Sequence, residues 1–410
     1  MKFVRFGIVF LLPLLFIFSQ CFHKNKPADP RGTTYAGSAS CLKCHKNVYQ
    51  DYLHNAHYLT SRTASQATIH GSFAPESDTV IFNNNIKAVM EKHKDGFYQV
   101  SYTNGKLTEM QRFDIIMGSK RAETYLYWKG NEVYQLPITY YTSLHKWANS
   151  PAYSADSVNF SRLIGRRCFE CHSSYIQNIP DQTGAANGTD SLDKSTMLLS
   201  IDCERCHGPG AAHVDFHTQN PAEKRPMYIT KISSLSRQRR MDLCSVCHSG
   251  NTSVMIKSTF DFKPGDTLAN FKGGEHFHRA QEVTKMDVHG NQAQLLAGSQ
   301  CFIKSKIECA TCHNIHDNEV KSVKIYSQYC ITCHSTVKHS FDKGEGQLSN
   351  TISSNCIDCH MPVKTSKSVL INAAGNQTIF PFMARTHLIA VYPEESKKIM
   401  AWMKEVSVKR

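Results

Sequence analysis

Cys203-Glu-Arg-Cys206-His207-Gly208-Pro209-Gly210 sets two thiols three residues apart, with an imidazole directly behind the second. The same C-x-x-C-H order stands at Cys41-Leu-Lys-Cys44-His45, Cys168-Phe-Glu-Cys171-His172 and Cys244-Ser-Val-Cys247-His248. It returns at Cys309-Ala-Thr-Cys312-His313, Cys330-Ile-Thr-Cys333-His334 and Cys356-Ile-Asp-Cys359-His360. With 16 Cys and 21 His in 410 residues, chance supplies about 0.03 copies, so seven copies share one chemistry. Two thiols on one helical turn can each form a thioether to a haem vinyl group while the adjacent His meets the iron. The motifs therefore ask for seven covalently attached haem c groups.

Two other uses of cysteine compete. Structural zinc would need the pairs to combine into fours and gives no role to a His after every second Cys. A disulfide framework suits an exported chain, yet a C-x-x-C pair forms strained redox disulfides rather than structural ones. Cys301 and Cys21 fall outside the pattern. Cys301 reads as a small buried thiol.

The chain is long enough for two domains and a sizeable core. With 41% hydrophobic and 20% charged residues, it is neither disordered throughout nor a polytopic membrane protein. The formal charge is +13, but seven haems bring propionates and iron, so the loaded protein sits near about +6 oxidised and about −1 reduced. The basic balance of the bare chain thus gives no reason to expect nucleic acid as a partner.

Met1 to Arg5 carries two positive charges, Phe6 to Phe18 is apolar, and Ser19-Gln20-Cys21 follows, which is the layout of an export signal. The apolar run is too short to span a bilayer comfortably. Cys21 behind it suggests lipoprotein processing and a lipid anchor at that residue, although Phe18 stands where Leu is usual. Cleavage nearby without a lipid, or an uncleaved anchor, are the alternatives. All three put the body on the periplasmic or cell-surface side of a bacterial membrane.

Motif spacing suggests the layout. Residues 1–20 form the signal, 21–40 a linker, 41–62 a first haem segment, 63–147 an insertion and 148–410 a hexahaem domain. In the insertion, Thr79-Val-Ile-Phe82, Ile86 to His93, Phe97 to Thr103, Arg112 to Met117, Thr124 to Trp128 and Val133 to Tyr141 alternate like strands. Lys94-Asp95-Gly96, Asn104-Gly105 and Lys129-Gly130-Asn131 supply turns between them. Elsewhere helices are expected to be short and tied to haems, with Lys46 to Thr60 after the first motif and an amphipathic helix over Glu394 to Glu405. The fold class expected is mainly α with few regular elements, packed around haems, with one small antiparallel β unit inserted between haem 1 and haem 2. Porphyrins would supply much of the apolar core.

Seven motif histidines leave 14 others, enough to ligate the far side of each iron. A His a few residues past its own motif lies on the near side of its own haem, so His213, His316 and His339 would have to reach a neighbour's iron. From His313 to Cys330 a helical chain covers roughly 25 Å, so successive haems are expected to be close.

Cys41-Leu-Lys-Cys44-His45 followed by Tyr52, Asn55, Ala56 and His57 resembles the opening of exported multihaem cytochromes c related to the tetrahaem cytochromes of ammonia oxidisers. Tyr52 and Asn55 stand where Trp and Ser are usual. Cys203 to His213, Ser299-Gln-Cys301-Phe302 leading to Cys309 to His316, and Cys356 to Pro362 resemble segments of the same broad group. It also holds hydroxylamine oxidoreductase and the octahaem and pentahaem reductases. The resemblance covers most of Ser38 to His387 and implies distal histidines at His57, His213, His289, His316, His339 and His387. His145, His217, His276 and His278 are in reserve, and His23, His54, His70 and His93 read as solvated.

Six distal candidates for seven irons leave a fork. One branch is an electron carrier passing electrons along closely packed, mostly bis-histidine haems between redox partner proteins, a membrane quinol-oxidising complex among them. The other is an oxidoreductase of a small nitrogen or sulfur compound at one open haem, with nearby Arg, Lys, Tyr or His donating protons. A role in assembly or sensing is a third reading. No motif ends in Lys as the active-site haem of pentahaem nitrite reductases does, and no residue stands out as the crosslinking Tyr of hydroxylamine oxidoreductases. The chain also lacks G-x-G-x-x-G and G-x-x-x-x-G-K signatures. Arg166-Arg167 and Glu275-His276-Phe277-His278-Arg279 are the polar clusters an enzyme would draw on, though a basic pair beside a haem serves its propionates as readily.

Overall fold

Alternating apolar and polar residues between the first and second motifs build three antiparallel sheets in the computed structural model, which describes residues 29–180, 190–250, 253–274, 283–317, 322–339, 354–375 and 379–408. Strands β2 (Thr79–Ile81), β3 (Ile86–His93), β4 (Gly96–Thr103) and β5 (Lys106–Arg112) form a four-stranded meander. Asn104 and Gly105, both at positive φ, close the β4–β5 hairpin. The second sheet runs β1 (Ser61–Thr63), β6 (Ile115–Met117), β7 (Thr124–Lys129), β8 (Glu132–Gln135) and β11 (Arg162–Leu163). The stretch Val133 to Tyr141 breaks at Leu136-Pro137, because proline cannot donate to a ladder. Its second half, β9 (Ile138–Tyr141), pairs with β10 (Lys146–Asn149).

Gln99 ties these layers together from a buried position. Its amide donates to Ile138 O at 2.7 Å, and its carbonyl oxygen accepts from Ile138 N at 3.0 Å. Phe113, Tyr125, Tyr140 and Trp147 stack in the core between the sheets, with Phe113 and Tyr125 at 4.5 Å between ring centres. The carboxylate of Glu123 is buried beside them, paired with Arg62 and His70 and accepting from Tyr125 Oη at 2.7 Å. His70 thus keeps most of its ring in solvent, as expected, while Nδ1 lies 2.5 Å from the Glu123 carboxylate.

The expectation of a mainly α chain with one small β insertion is overturned. The described residues hold five sheets, and two of the β-hairpins lie in the part expected to be helical and haem-packed. One joins β12 (Ser173–Ile179) to β13 (Ser191–Leu199), directly after the second motif, and the other joins β14 (Val363–Asn372) to β15 (Ile379–Arg385), after the last. The physical reason is that a one-turn motif helix leaves unpaired backbone at its end, and the following chain satisfies it by pairing with itself.

Helices are short, as expected. They are α1 (Lys46–Tyr52), α2 (Arg166–His172), α3 (Cys203–His207), α4 (Ala211–Gln219), α5 (Arg237–His248), α6 (Gln292–Ala297), α7 (Gln300–Lys304), α8 (Cys309–Cys312), α9 (Val323–Ile331), α10 (Cys356–His360) and the terminal α11 (Pro393–Val408). Helix α1 stops at Tyr52, well short of Thr60. The two halves of the molecule meet where Phe169, between the cysteines of the second motif, enters a cluster with Ile115, Leu126, Val133, Ile176 and Leu192. No helix among the described residues is long and apolar enough to cross a membrane. The signal segment and Cys21 lie outside the described residues.

Candidate haem-binding centre

All seven motifs sit on or beside short helices, and caps explain why so short a helix forms. Asp202 accepts from Arg205 N at 2.8 Å, Asn355 from Asp358 N, and Glu308 and Thr311 form a reciprocal box around Cys309. A backbone bond then runs from the motif His to the first Cys, as in His45 N to Cys41 O at 2.9 Å and His334 N to Cys330 O at 2.9 Å. That bond sets the imidazole one turn beyond the first thiol. None of the fifteen described cysteines is in a disulfide.

The residues between the cysteines are structural, a role not read from the sequence. Glu204 in Cys203-Glu-Arg-Cys206 is buried, and its carboxylate accepts from Ala36 N, Gly37 N and Gly210 N at 2.8–2.9 Å and from Arg31 at 3.0 Å. Arg31 also pairs with Asp29 and Asp202. Arg205 donates to Thr259 O and Glu170 O, and Glu170 in the second motif accepts from Ser258 Oγ and Thr259. These groups pin the loop before the first motif and the 258–259 turn onto the motifs.

Distal candidates come to the motifs of other segments. Ring centres lie 6.4 Å apart for His45 and His213, 6.3 Å for His248 and His57, 6.1 Å for His207 and His316, 6.2 Å for His313 and His387, and 6.1 Å for His360 and His339. A metal held by two imidazole nitrogens at about 2 Å from each separates the ring centres by roughly 6 Å. The donor set and the spacing therefore fit an iron between each pair. His289 stands differently: its ring packs edge-on against Phe382 at 5.4 Å. Neither His172 nor His334 has a ring neighbour among the described residues.

Local bonds aim these rings. His213 Nδ1 donates to Met227 O at 2.8 Å and His360 Nδ1 to Ala390 O at 2.9 Å, leaving the other ring nitrogen of each for a metal. Tyr52 donates to Ile201 O at 2.8 Å and Asn55 to Ile315 O at 3.0 Å. These two residues, where the resembled family has Trp and Ser, thus hold the His57 turn between the third and fifth motifs. Desolvation pushes His57 and His387 down to about 4, so both are neutral and able to ligate near pH 7. His172 and His248 carry open surface although surrounding protein desolvates them and lowers both. The two facts agree when the rings face an internal hollow, as haem ligands do.

Thiols from different motifs also meet. Cys41 and Cys203, Cys171 and Cys247, Cys244 and Cys309, and Cys330 and Cys356 come close enough to influence each other's ionisation. Cys206 lies within electrostatic reach of Cys244 and Cys247, and Cys312 within that of Cys330. Cys301 is half-buried and also reaches Cys330. The remaining cysteines, Cys44, Cys168, Cys333 and Cys359, complete their motifs at more open positions or without a cross-motif bond. Arg166 donates to Ser258 and Arg167 to Ser253 O, so this basic pair is engaged with protein. The cluster around His276 and His278 lies outside the described residues.

Residues 138–208, which take in the second and third motifs, match the family model described as cytochrome c554 and c-prime. No curated protein sequence matches the chain. In fold the chain is similar to the crystal structure of the outer cell wall cytochrome OcwA, with a TM-score of 0.52 and 15% identity over 89% of this chain and 82% of that one. Together the motif match and the fold likeness support a multihaem cytochrome c that carries haem c. Neither reaches the narrower resemblance to hydroxylamine oxidoreductase and the octahaem reductases.

Proposed function

We propose that this chain is an exported heptahaem c-type cytochrome that relays electrons between redox partner proteins. Five pairs of imidazoles at 6.1–6.4 Å carry the reading, because each matches a low-spin iron held from both sides. Haem supplies the redox chemistry. The chain supplies thioether attachment through each Cys pair, the axial imidazoles, and the bonds that orient them.

The thiol contacts support an order for the relay. Numbered by motif, haem 1 adjoins haem 3 through Cys41 and Cys203, and haem 3 adjoins haem 4 through Cys206 and the 244–247 pair. Haem 4 leads on to haem 5 through Cys244 and Cys309, then through Cys312 and Cys330 to haem 6, and through Cys330 and Cys356 to haem 7. Haem 2 joins as a side branch at haem 4 through Cys171 and Cys247. A protein with its centres so arranged can accept an electron at one end and deliver it at the other without moving.

The placement outside the cytoplasm draws on the signal layout and on the likeness to an outer cell wall cytochrome. A lipid at Cys21 would hold the relay at a membrane, where a quinol-oxidising complex could feed it. The rival, a small-molecule oxidoreductase, requires an open iron with a proton donor beside it.

EPR of the oxidised, haem-loaded chain tests the ligation. The near-parallel pairs His45/His213 and His207/His316, at 16° between planes, should give rhombic low-spin signals, and His57/His248, at 79°, a strongly anisotropic one. A spectrum dominated by high-spin iron, or a mass showing fewer than seven haems, would defeat the proposal.

A further inference from the structure

Lys272 is 2% exposed, although an ammonium is among the costliest groups to bury. A turn over Leu268–Asn270 carries it inward: Leu268 and Phe271 pack with Val246, which lies between the cysteines of the fourth motif, and Lys272 N donates to Leu268 O at 3.0 Å. The side chain thereby reaches the C-terminal end of helix α5, the helix that bears this motif. Its Nζ donates to Val246 O at 3.3 Å, to Ser249 Oγ at 3.0 Å and to Gly250 O at 2.9 Å. Ser249 directly follows His248, the motif imidazole. Burial pulls the ammonium below its ordinary value, while three oxygens at the negative end of a helix dipole favour keeping its proton.

From this we infer that Lys272 raises the reduction potential of the haem attached through Cys244, Cys247 and His248, the branch point of the relay. Each electron added to that haem removes one unit of positive charge, so a fixed cation beside it favours ferrous over ferric iron, and more strongly away from water. The inference rests on the proposed relay, in which haem 4 adjoins haems 2, 3 and 5, and it names the residue that sets the level of that junction. Electrons arriving from haem 2 or haem 3 are drawn toward haem 4. A unit charge about 10 Å from an iron, at an effective dielectric of about 20, shifts a one-electron equilibrium roughly tenfold, which is about 59 mV.

The test is an EPR-monitored redox titration of the haem-loaded full chain, with haems counted by intact mass. The His57/His248 pair, at 79° between planes, gives haem 4 a signal of its own, so its midpoint can be followed apart from the others. Lys272→Gln, which keeps two N–H donors, and Lys272→Met should each lower that midpoint by about 59 mV, a roughly tenfold change. The signal of the near-parallel His45/His213 pair at haem 1 should stay where it is. Lys272→Arg should hold the parent value at both. Should the methionine variant fail to fold, the glutamine and arginine variants still decide. Seven haems with an unmoved haem 4 midpoint in Lys272→Gln overturns the inference and spares the relay. An equal fall at haem 1 and haem 4 also overturns it, because a loosened fold rather than a local charge would then be at work. A parent that lacks the strongly anisotropic signal, or carries fewer than seven haems, overturns the relay on which the inference stands.

Discussion

Truncating Glu204 should loosen the join between the first and third motifs. Its carboxylate, 2% exposed, takes three backbone amides, those of Ala36, Gly37 and Gly210, and the Arg31 guanidinium. Glu204→Ala strands the three amides, and each buried donor left unmet costs about 1–3 kcal/mol. The gross cost is therefore about 3–9 kcal/mol, and water entering the space left by the side chain brings the net toward the lower end, about 3 kcal/mol. Glu204→Gln keeps the volume and one acceptor oxygen but turns an NH2 toward amide donors, so about 2 kcal/mol is expected. Guanidinium unfolding of the haem-loaded protein measures both. Limited proteolysis should show faster cleavage within residues 29–37, which the carboxylate fastens to helix α3. A loss below about 1 kcal/mol in the alanine variant, with 29–37 still protected, would refute the view that the residues between the cysteines hold the motifs together.

Removing a distal ligand with His387→Ala should convert one low-spin ferric iron to high-spin without loss of haem mass, and an unchanged EPR spectrum would deny His387 that role. At Gly71 an added Cβ would lie 2.0 Å from Trp147 Cζ2, so Gly71→Ala should cost about 1–3 kcal/mol by thermal unfolding; a neutral result would show that the ring can move aside. Burial pushes the Tyr127 phenol from 10.0 up to about 12, and Tyr125, Tyr141 and Tyr153 also move up. The folded state then keeps protons that the unfolded state has lost, so the contribution of these phenols is constant below pH 10 and stability should fall from 10 toward 12, read as denaturation midpoints across that range. Stability rising over that window would contradict the burial of these rings.

How much was legible in the sequence depended on whether the signal was local. Each C-x-x-C-H motif is a complete instruction within five residues, and the turns Asp95-Gly96, Asn104-Gly105 and Gly130-Asn131 marked hairpins without tertiary context. Strand β5, Lys-Leu-Thr-Glu-Met-Gln-Arg, escaped because almost all of it is exposed, leaving no buried face to read. The β14–β15 hairpin was hidden for a related reason: its register shifts between Thr365 and Leu370, which breaks the alternation a strand displays. The charged residues of Cys203-Glu-Arg-Cys206 gave no sign of burial, since their partners Ala36, Thr259 and Glu170 are distant in the chain. Distal histidines were visible as candidates, but which motif each one faces is a property of the folded chain alone.

The meeting of Cys41 with Cys203, of Cys171 with Cys247, of Cys244 with Cys309 and of Cys330 with Cys356 bears on biosynthesis. Outside the cytoplasm, neighbouring thiols are candidates for oxidation to disulfides. Until its thioethers form, this polypeptide carries four ready-made opportunities for the wrong crosslink, one of them closing a loop from the first motif to the third. On the proposed reading of an exported, haem-loaded chain, attachment has to outrun folding: the thiols would need to stay reduced until each porphyrin is in place, and once each sulfur is alkylated the hazard disappears.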